Sequence, residues 1–357
     1  MVRDYRLDNA RILLNIFVVF GHFFGPAAGS LSSITVTSSV YLAHLIFTMP
    51  CLAFISGIFS RDELTGSKYY DMLEKFILPY VIFNTILYFI IKTFSSWGQS
   101  EHFFFDPNIQ LWYLLSLVTW RMLLPLFTKI RFSLLVAFIL GIGIGYVDTL
   151  GAVGNSLTDA VDFRKDTLSI LRTFILFPFF LLGYYSKDFI RNIKSRFFVP
   201  SLFFVGLLIF CSYLNKDQNY ILTQLAYGSF AFKYSGLEGL IAVFYRLFVY
   251  VLGIAGIFSF IYLTPKNNNF LSEHGKNSMY SYILHIFPVM LFYYVGFERL
   301  LPTTSILILT LVYLVISIVF ALTLTSKFSV KLFKPLVEPS GRWCLKNAPK
   351  QSKGEIS

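Results

Sequence analysis

Ten stretches of roughly 17 to 25 residues, apolar along most of their length, recur through this chain and decide what it can fold into. A helix needs about 20 such residues to cross the hydrocarbon of a bilayer, where each backbone polar group must be satisfied within the segment. On that ruler the spans fall near 10–28, 40–59, 76–94, 111–128, 132–148, 167–186, 197–214, 239–263, 278–296 and 304–326. The predicted fold is therefore all-α, a polytopic integral membrane helix bundle of ten transmembrane helices. Between 215 and 238, the run Tyr220–Phe232 is apolar enough to dip into the interface but too short to cross. No small-residue cleavage site follows the first run, so it is read as a span and not as a signal peptide.

Composition excludes the soluble alternatives. Hydrophobic residues make up 56% of the chain and charged ones only 14%, against about a quarter in soluble domains. The net charge of +11 raises the question of nucleic acid, but the basic residues lie in short runs between spans and in the tail. With the N-terminus inside, the arm through Arg11 and the inward loops carry fourteen Lys and Arg, and the outward loops five. Seven more follow Ser326. This asymmetry predicts both termini in the cytoplasm. The chain divides into a transmembrane domain over 1–326 and a basic cytoplasmic tail over 327–357. Its expected place is the cell membrane, crossed many times, with membrane lipid as partner and no nucleic acid. Cys51 and Cys211 lie in apolar stretches and Cys344 in the tail, with no disulfide framework and no metal-ligand spacing.

All nineteen Asp and Glu fall in loops or at span ends. Inside the spans the ionisable side chains are His22, His44, His285, Arg121, Arg172 and Arg246, with Lys92 near a boundary. Charge at such depth is costly and marks a functional candidate. Arginines without intramembrane carboxylates predict an electropositive interior, suited to phosphates or a developing oxyanion and poorly suited to a carboxylate proton relay. The plainer role is interhelical glue, in which each guanidinium bonds backbone carbonyls.

The first span carries the sharpest pattern. Arg11 and His22 are eleven residues apart, close to three helical turns, so both project from one face, joined by Asp8 and Asn15. The rise of about 1.5 Å per residue sets His22 on the order of 16 Å above Arg11, near mid-membrane. An imidazole there can serve as general base, or simply bond a neighbouring helix. In the ninth span Ser278, Tyr282 and His285 share a face, with Ser281 at its flank, which reads equally as hydrogen-bond glue. Pro50, Pro79, Pro125, Pro178 and Pro288 can kink helices and open a cavity. Gly141, Gly143 and Gly145 suggest close helix packing. The acidic outward loop 148–166 is read as solvated, and His102 with Glu101 and Asp106 is too sparse for a metal site.

Taken in order, several segments resemble the acyltransferase-3 superfamily of integral membrane acyltransferases, in particular its sugar O-acetylase-like branch. They are Arg6-Leu-Asp8-Asn-Ala-Arg11 running to Gly21-His22, Phe47-Thr48-Met49-Pro50 with Phe54-Ile-Ser56-Gly57, and Glu74-Lys75 before Pro79-Tyr80. Next come Leu111-Trp112-Tyr113-Leu114 running to Trp120-Arg121, Phe179 to Gly183-Tyr184, and Asn277-Ser278 to Tyr282 and His285. Thr48 stands where His is common in the family, and Met72 stands where an earlier arginine of the basic segment would fall.

The resemblance implies transfer of an acyl group, acetyl most often, from acyl-CoA on the cytoplasmic side to a hydroxyl of a cell-surface or lipid-linked carbohydrate. It casts His22, Arg11, Asn15 and His285 as catalytic, with His22 as general base or acyl relay. Arg11, Lys75, Lys68 and Arg121 would hold the donor, and Tyr282, Ser278, Trp112 and Arg246 the acceptor. Acyl-CoA is the donor substrate and no metal is expected. Some relatives add a hydrolase-like outer domain; here the tail is short and basic, so transfer is expected to finish in the membrane domain. The rival reading is a transporter or flippase for an anionic or sugar-containing substrate, which would use the same electropositive cavity without acyl chemistry.

Overall fold

Each of the ten apolar stretches is helical in the computed structural model, which describes residues 5–30, 35–94, 106–147, 167–194, 196–300 and 306–340. Among these residues there is no β-strand. Six helical segments are long and apolar enough to cross a membrane. They are α1 (Arg6–Ser30), α2 (Thr35–Ile58), α3 (Gly66–Phe94), α10 (Gly239–Leu263), the pair α12 (Ser278–Leu284) and α13 (Ile286–Val295), and α14 (Ile306–Leu324). The other four apolar helices are shorter: α4 (Trp112–Phe127), α5 (Ser133–Gly143), α6 (Ile170–Tyr185) and α8 (Phe198–Tyr213). A 16-residue helix such as α4 spans ~24 Å against ~30 Å of hydrocarbon, so these four are shorter than hydropathy alone suggested.

Polar helices join them. Helix α7 (Lys187–Asn192) follows α6, α9 (Lys216–Tyr227) follows α8, α11 (Phe270–Lys276) precedes α12, and α15 (Lys327–Val337) follows α14. Asn215 starts α9 with a capping box to Gln218, which explains why the 215–238 segment folds as a polar helix and a short turn and not as a span. The acidic loop 148–166, His102 with Glu101, and the tail beyond 340, Cys344 included, lie outside the described residues.

Helices α1 and α2 form the centre. Helix α1 packs against α2, α11, α12, α13 and α14, while α2 packs against α6, α8, α9 and α10. Helices α2 and α6 approach each other backbone to backbone. A Cβ on Gly57 would overlap the Phe180 carbonyl, and one on Gly183 would overlap the Phe54 carbonyl, so two glycines let these backbones touch. Outward faces stay apolar, as Leu240, Phe244 and Leu307 illustrate, which suits a lipid surround.

Two prolines set local bends. Pro79 has no N–H for the Lys75 carbonyl, and the turn before it, Leu73–Ile77, widens into a π-helix within α3. Pro288 likewise leaves the Leu284 carbonyl without its donor, and the ninth span breaks into α12 and α13 at His285. The break places an imidazole at the bend.

The opening segment is fixed by hydrogen bonds. Arg6 is fully buried and donates to the Ile193 and Ile190 carbonyls at 2.7 and 3.3 Å, at the end of α7. Asn9 donates to the Pro265 and Asn267 carbonyls and accepts from the Ser272 hydroxyl at 2.7 Å. These bonds set the height and rotation of α1, and with them Arg11 and His22.

Candidate active site

His22 and His285 meet where α1 passes the bend between α12 and α13. Their ring centroids are 4.9 Å apart and the planes are tilted by 47°. His285 is fully buried. Its Nδ1 lies 3.0 Å from the Ser281 carbonyl, an obligate acceptor, so Nδ1 carries the proton and Nε2 the lone pair. That Nε2 is buried and has no hydrogen-bond partner among the described residues. An unsatisfied acceptor beside a second imidazole is costly for stability alone and fits a site that receives a proton-bearing group.

From His285 a line of aromatic side chains leads back to Arg11. The Tyr282 ring lies 6.3 Å from that of His285 and 5.5 Å from that of Tyr113. The Tyr282 hydroxyl donates to the Gln110 carbonyl, and Gln110 Nε2 donates to the Ile283 carbonyl at 3.0 Å. The Tyr113 hydroxyl is 2.8 Å from Ser56 Oγ and within electrostatic range of both Arg11 and Arg121. Ser56 immediately precedes Gly57, so the tight α2–α6 crossing also positions the hydroxyl that holds Tyr113.

The cations gather at one end of this line. Arg11 stands 3.8 Å from Asp8 and lies over the Phe59 ring at 3.6 Å. Arg121 lies over the Phe76 ring at 4.6 Å and interacts electrostatically with Arg11 and Asp71. Lys75 is exposed and 3.8 Å from Asp71. Lys68 bonds the Glu63 carbonyl at 2.8 Å and stands 3.5 Å from the Glu63 carboxylate. Asn15 donates to the Arg11 carbonyl at 3.0 Å, and its Oδ1 is buried without a partner among the described residues.

At the far end of α4, Arg172 lies over Trp112 at 4.9 Å and over Tyr227 at 4.3 Å, within electrostatic range of His22 and Tyr282. Trp112 thus reaches the site through Arg172. Ser278, a turn before Tyr282, is half-buried and makes none of these contacts. Arg246 sits elsewhere: fully buried, it donates to the Leu225 carbonyl at 2.7 Å and lies 5.4 Å from the Phe232 ring. Leu225 is in the last turn of α9, where a cation complements the carbonyl end of the helix, so Arg246 clamps α9 to α10. His44 packs its ring against Gly21 of α1, one residue from His22, and bonds Thr48 at 3.0 Å.

The sequence marks Tyr113 and Ser56 only by their place in the quoted motifs and gives no sign of Gln110, while Ser281, at the flank of the ninth-span cluster, bonds His285 through its backbone carbonyl. Among the described residues no three His, Cys, Asp or Glu stand close enough to hold a metal ion.

Paired imidazoles where α12 gives way to α13, with arginines at one end of an aromatic path, form a polar site inside a bundle of apolar helices. The family model of the acyltransferase domain matches residues 4–325, nearly the whole described region, and the chain belongs to that family of integral membrane acyltransferases. No curated protein and no solved structure matches it.

Proposed function

We propose that the chain moves an acyl group, acetyl in the first instance, from cytoplasmic acyl-CoA to a hydroxyl of a cell-surface or lipid-linked carbohydrate. All ten apolar helices cross the membrane of the cell, the four shorter ones with part of their thickness completed by neighbouring loops, and both termini face the cytoplasm. The distribution of Lys and Arg supports that orientation. The observation that carries the reading is the His22–His285 pair with its open Nε2 acceptor, joined by Tyr282 and Tyr113 to Arg11 and Arg121.

Arg11 and Arg121 hold the phosphates of CoA at the inner mouth, with exposed Lys75 at its rim. The thioester then extends along the tyrosines toward His22. His22 takes the proton of the acceptor hydroxyl, and the oxygen attacks the thioester carbonyl. The tetrahedral intermediate collapses with cleavage of the C–S bond, and the CoA thiolate leaves with the proton held by His22. His285, fixed as the Nδ1–H tautomer by the Ser281 carbonyl, presents its open Nε2 beside His22 as an acceptor for a proton-bearing group of the substrate. Asn15 and Tyr282 line the path, and the Trp112–Arg172 group faces the acceptor side.

The test is release of CoA from labelled acetyl-CoA by the purified protein in lipid nanodiscs with a carbohydrate acceptor. The proposal requires turnover in the wild type and its collapse in His22→Ala at unchanged yield and thermal stability. A wild-type protein that neither binds nor consumes acyl-CoA, yet moves a sugar or anionic solute across the bilayer, would establish the transporter reading instead.

A further inference from the structure

Helix α15 follows α14 after only two residues and is locked in place at both ends. Ser326 caps it by accepting from the Ser329 N–H, and the Ser329 hydroxyl donates to the Thr323 carbonyl at 2.7 Å. At its other end Glu338 accepts from the Tyr280 hydroxyl of α12 at 2.9 Å.

At about 100° per residue the helix presents three separate faces. Ser329, Val330, Phe333 and Val337 turn toward the bundle: Ser329 and Val337 are buried, and Val330 and Phe333 pack on the core. Phe328, Leu332 and Leu336, at i, i+4 and i+8, form a second face, exposed at 76%, 57% and 39%. Lys327, Lys331 and Lys334 form the third, with no acidic residue until Glu338, which stands 4.0 Å from Lys334 at the end of the helix. A helix lying beside a bundle at the membrane surface meets protein on one side, acyl chains beneath and headgroups above, and these faces are ordered for that position. The cationic face selects the sign of the headgroup.

We infer that α15 is an interfacial helix that docks on anionic lipid headgroups, with Phe328, Leu332 and Leu336 in the acyl-chain boundary and Lys327, Lys331 and Lys334 on the phosphates. The inference needs the chain to be membrane-embedded and does not depend on acyl transfer. It makes the lipid composition of the inner leaflet a ligand of this protein.

An environment-sensitive fluorophore on Leu332→Cys, in a Cys344→Ser background, reads the docking directly. The full chain is placed in nanodiscs of phosphatidylcholine alone, or of equal parts phosphatidylcholine and phosphatidylglycerol. The expected result is blue-shifted emission, quenched by brominated acyl chains, that is stronger in the anionic discs. Replacing Lys327, Lys331 and Lys334 together by Gln removes the difference between the two compositions. At about fivefold per lysine, the docked-to-undocked ratio in anionic discs falls on the order of a hundredfold. Emission equal in both compositions would overturn anionic recognition. A water-exposed label in both would overturn docking. Shielding that rises with protein concentration in detergent would assign the face to a second copy and overturn the lipid assignment. None of these readouts needs turnover, so the fate of the inference is separate from that of the acyl-transfer proposal.

Discussion

The imidazoles of His22 and His285 lie 4.9 Å apart, with the open Nε2 of His285 beside its neighbour. Two rings in such contact act as one unit, so their removal is non-additive. His22→Ala is expected to lower turnover by about a hundredfold to ten-thousandfold, the ordinary contribution of a positioned base. His285→Ala should cost part of that, and the double variant little more than His22→Ala alone. A double-mutant cycle on the rate of CoA release measures this. Strictly additive losses would assign the two rings to independent tasks.

The inner cations lead to a different signature. Arg11 and Arg121 flank Tyr113 and lie over the Phe59 and Phe76 rings, Arg11 beside Asp8 at 3.8 Å and Arg121 with its Nε buried and without a hydrogen-bond partner among the described residues. Arg11→Gln and Arg121→Gln are each expected to raise the KM for acyl-CoA on the order of tenfold, as for a hydrogen bond to a charged group. Lys75→Gln should do far less, because that amine is exposed and already faces Asp71 at 3.8 Å. Initial rates at varied acyl-CoA separate KM from kcat. Equal effects at all three positions would mean a diffuse electrostatic attraction in place of a formed site.

Much of this was legible before the fold. Hydropathy located every apolar helix, and the eleven-residue spacing of Arg11 and His22 marked one helix face as polar. Four helices came out shorter because hydropathy averages do not register where turns and caps end a helix. Pairing was the larger loss. His22 and His285 lie near opposite ends of the chain, and no local period links them. Tyr113 looks like any aromatic in a Leu-Trp-Tyr-Leu run until the Ser56 hydroxyl is 2.8 Å away. Arg246 resembled the other buried arginines in sequence, where its bond to the Leu225 carbonyl, beyond the reach of any local period, leaves no mark.

The α2–α6 crossing provides a stability test. A methyl group on Gly183 or Gly57 meets a backbone carbonyl that no rotamer change can move, so Gly183→Ala and Gly57→Ala are expected to destabilise by about 1–3 kcal/mol. Gly143, whose Cβ would meet nothing within 4 Å, is the control. There the same substitution should be neutral or stabilise by about 0.5–1 kcal/mol through helix propensity. Thermal unfolding in one detergent compares the three. Because Ser56 is carried by the same crossing, loss of turnover should accompany loss of stability in Gly57→Ala and not in Gly143→Ala.

The loop before the ninth span carries a pH dependence with a definite sign. His274 of α11 stacks against Phe270 at 4.5 Å, and its Nδ1 is 2.8 Å from Thr325 Oγ1. The Thr325 hydroxyl also donates to the Ala321 carbonyl at 2.8 Å, so Nδ1 is the donor to Thr325. Burial holds the His274 pKa below its ordinary value, and the nearby Glu273 opposes that shift without cancelling it. A lowered folded-state pKa means that the unfolded chain binds more protons just below the ordinary value of about 6.5. The contribution of His274 is therefore whole above that pH and lost as pH falls toward the folded value. In His274→Asn the amide can replace Nδ1–H as donor to Thr325, but it cannot titrate. Between about pH 7.5 and about pH 5.5, the wild type should lose on the order of a degree more in Tm than this variant. Parallel melting curves for the two proteins would remove His274 as the source, and a steeper fall in the variant would reverse the sign argued from its burial.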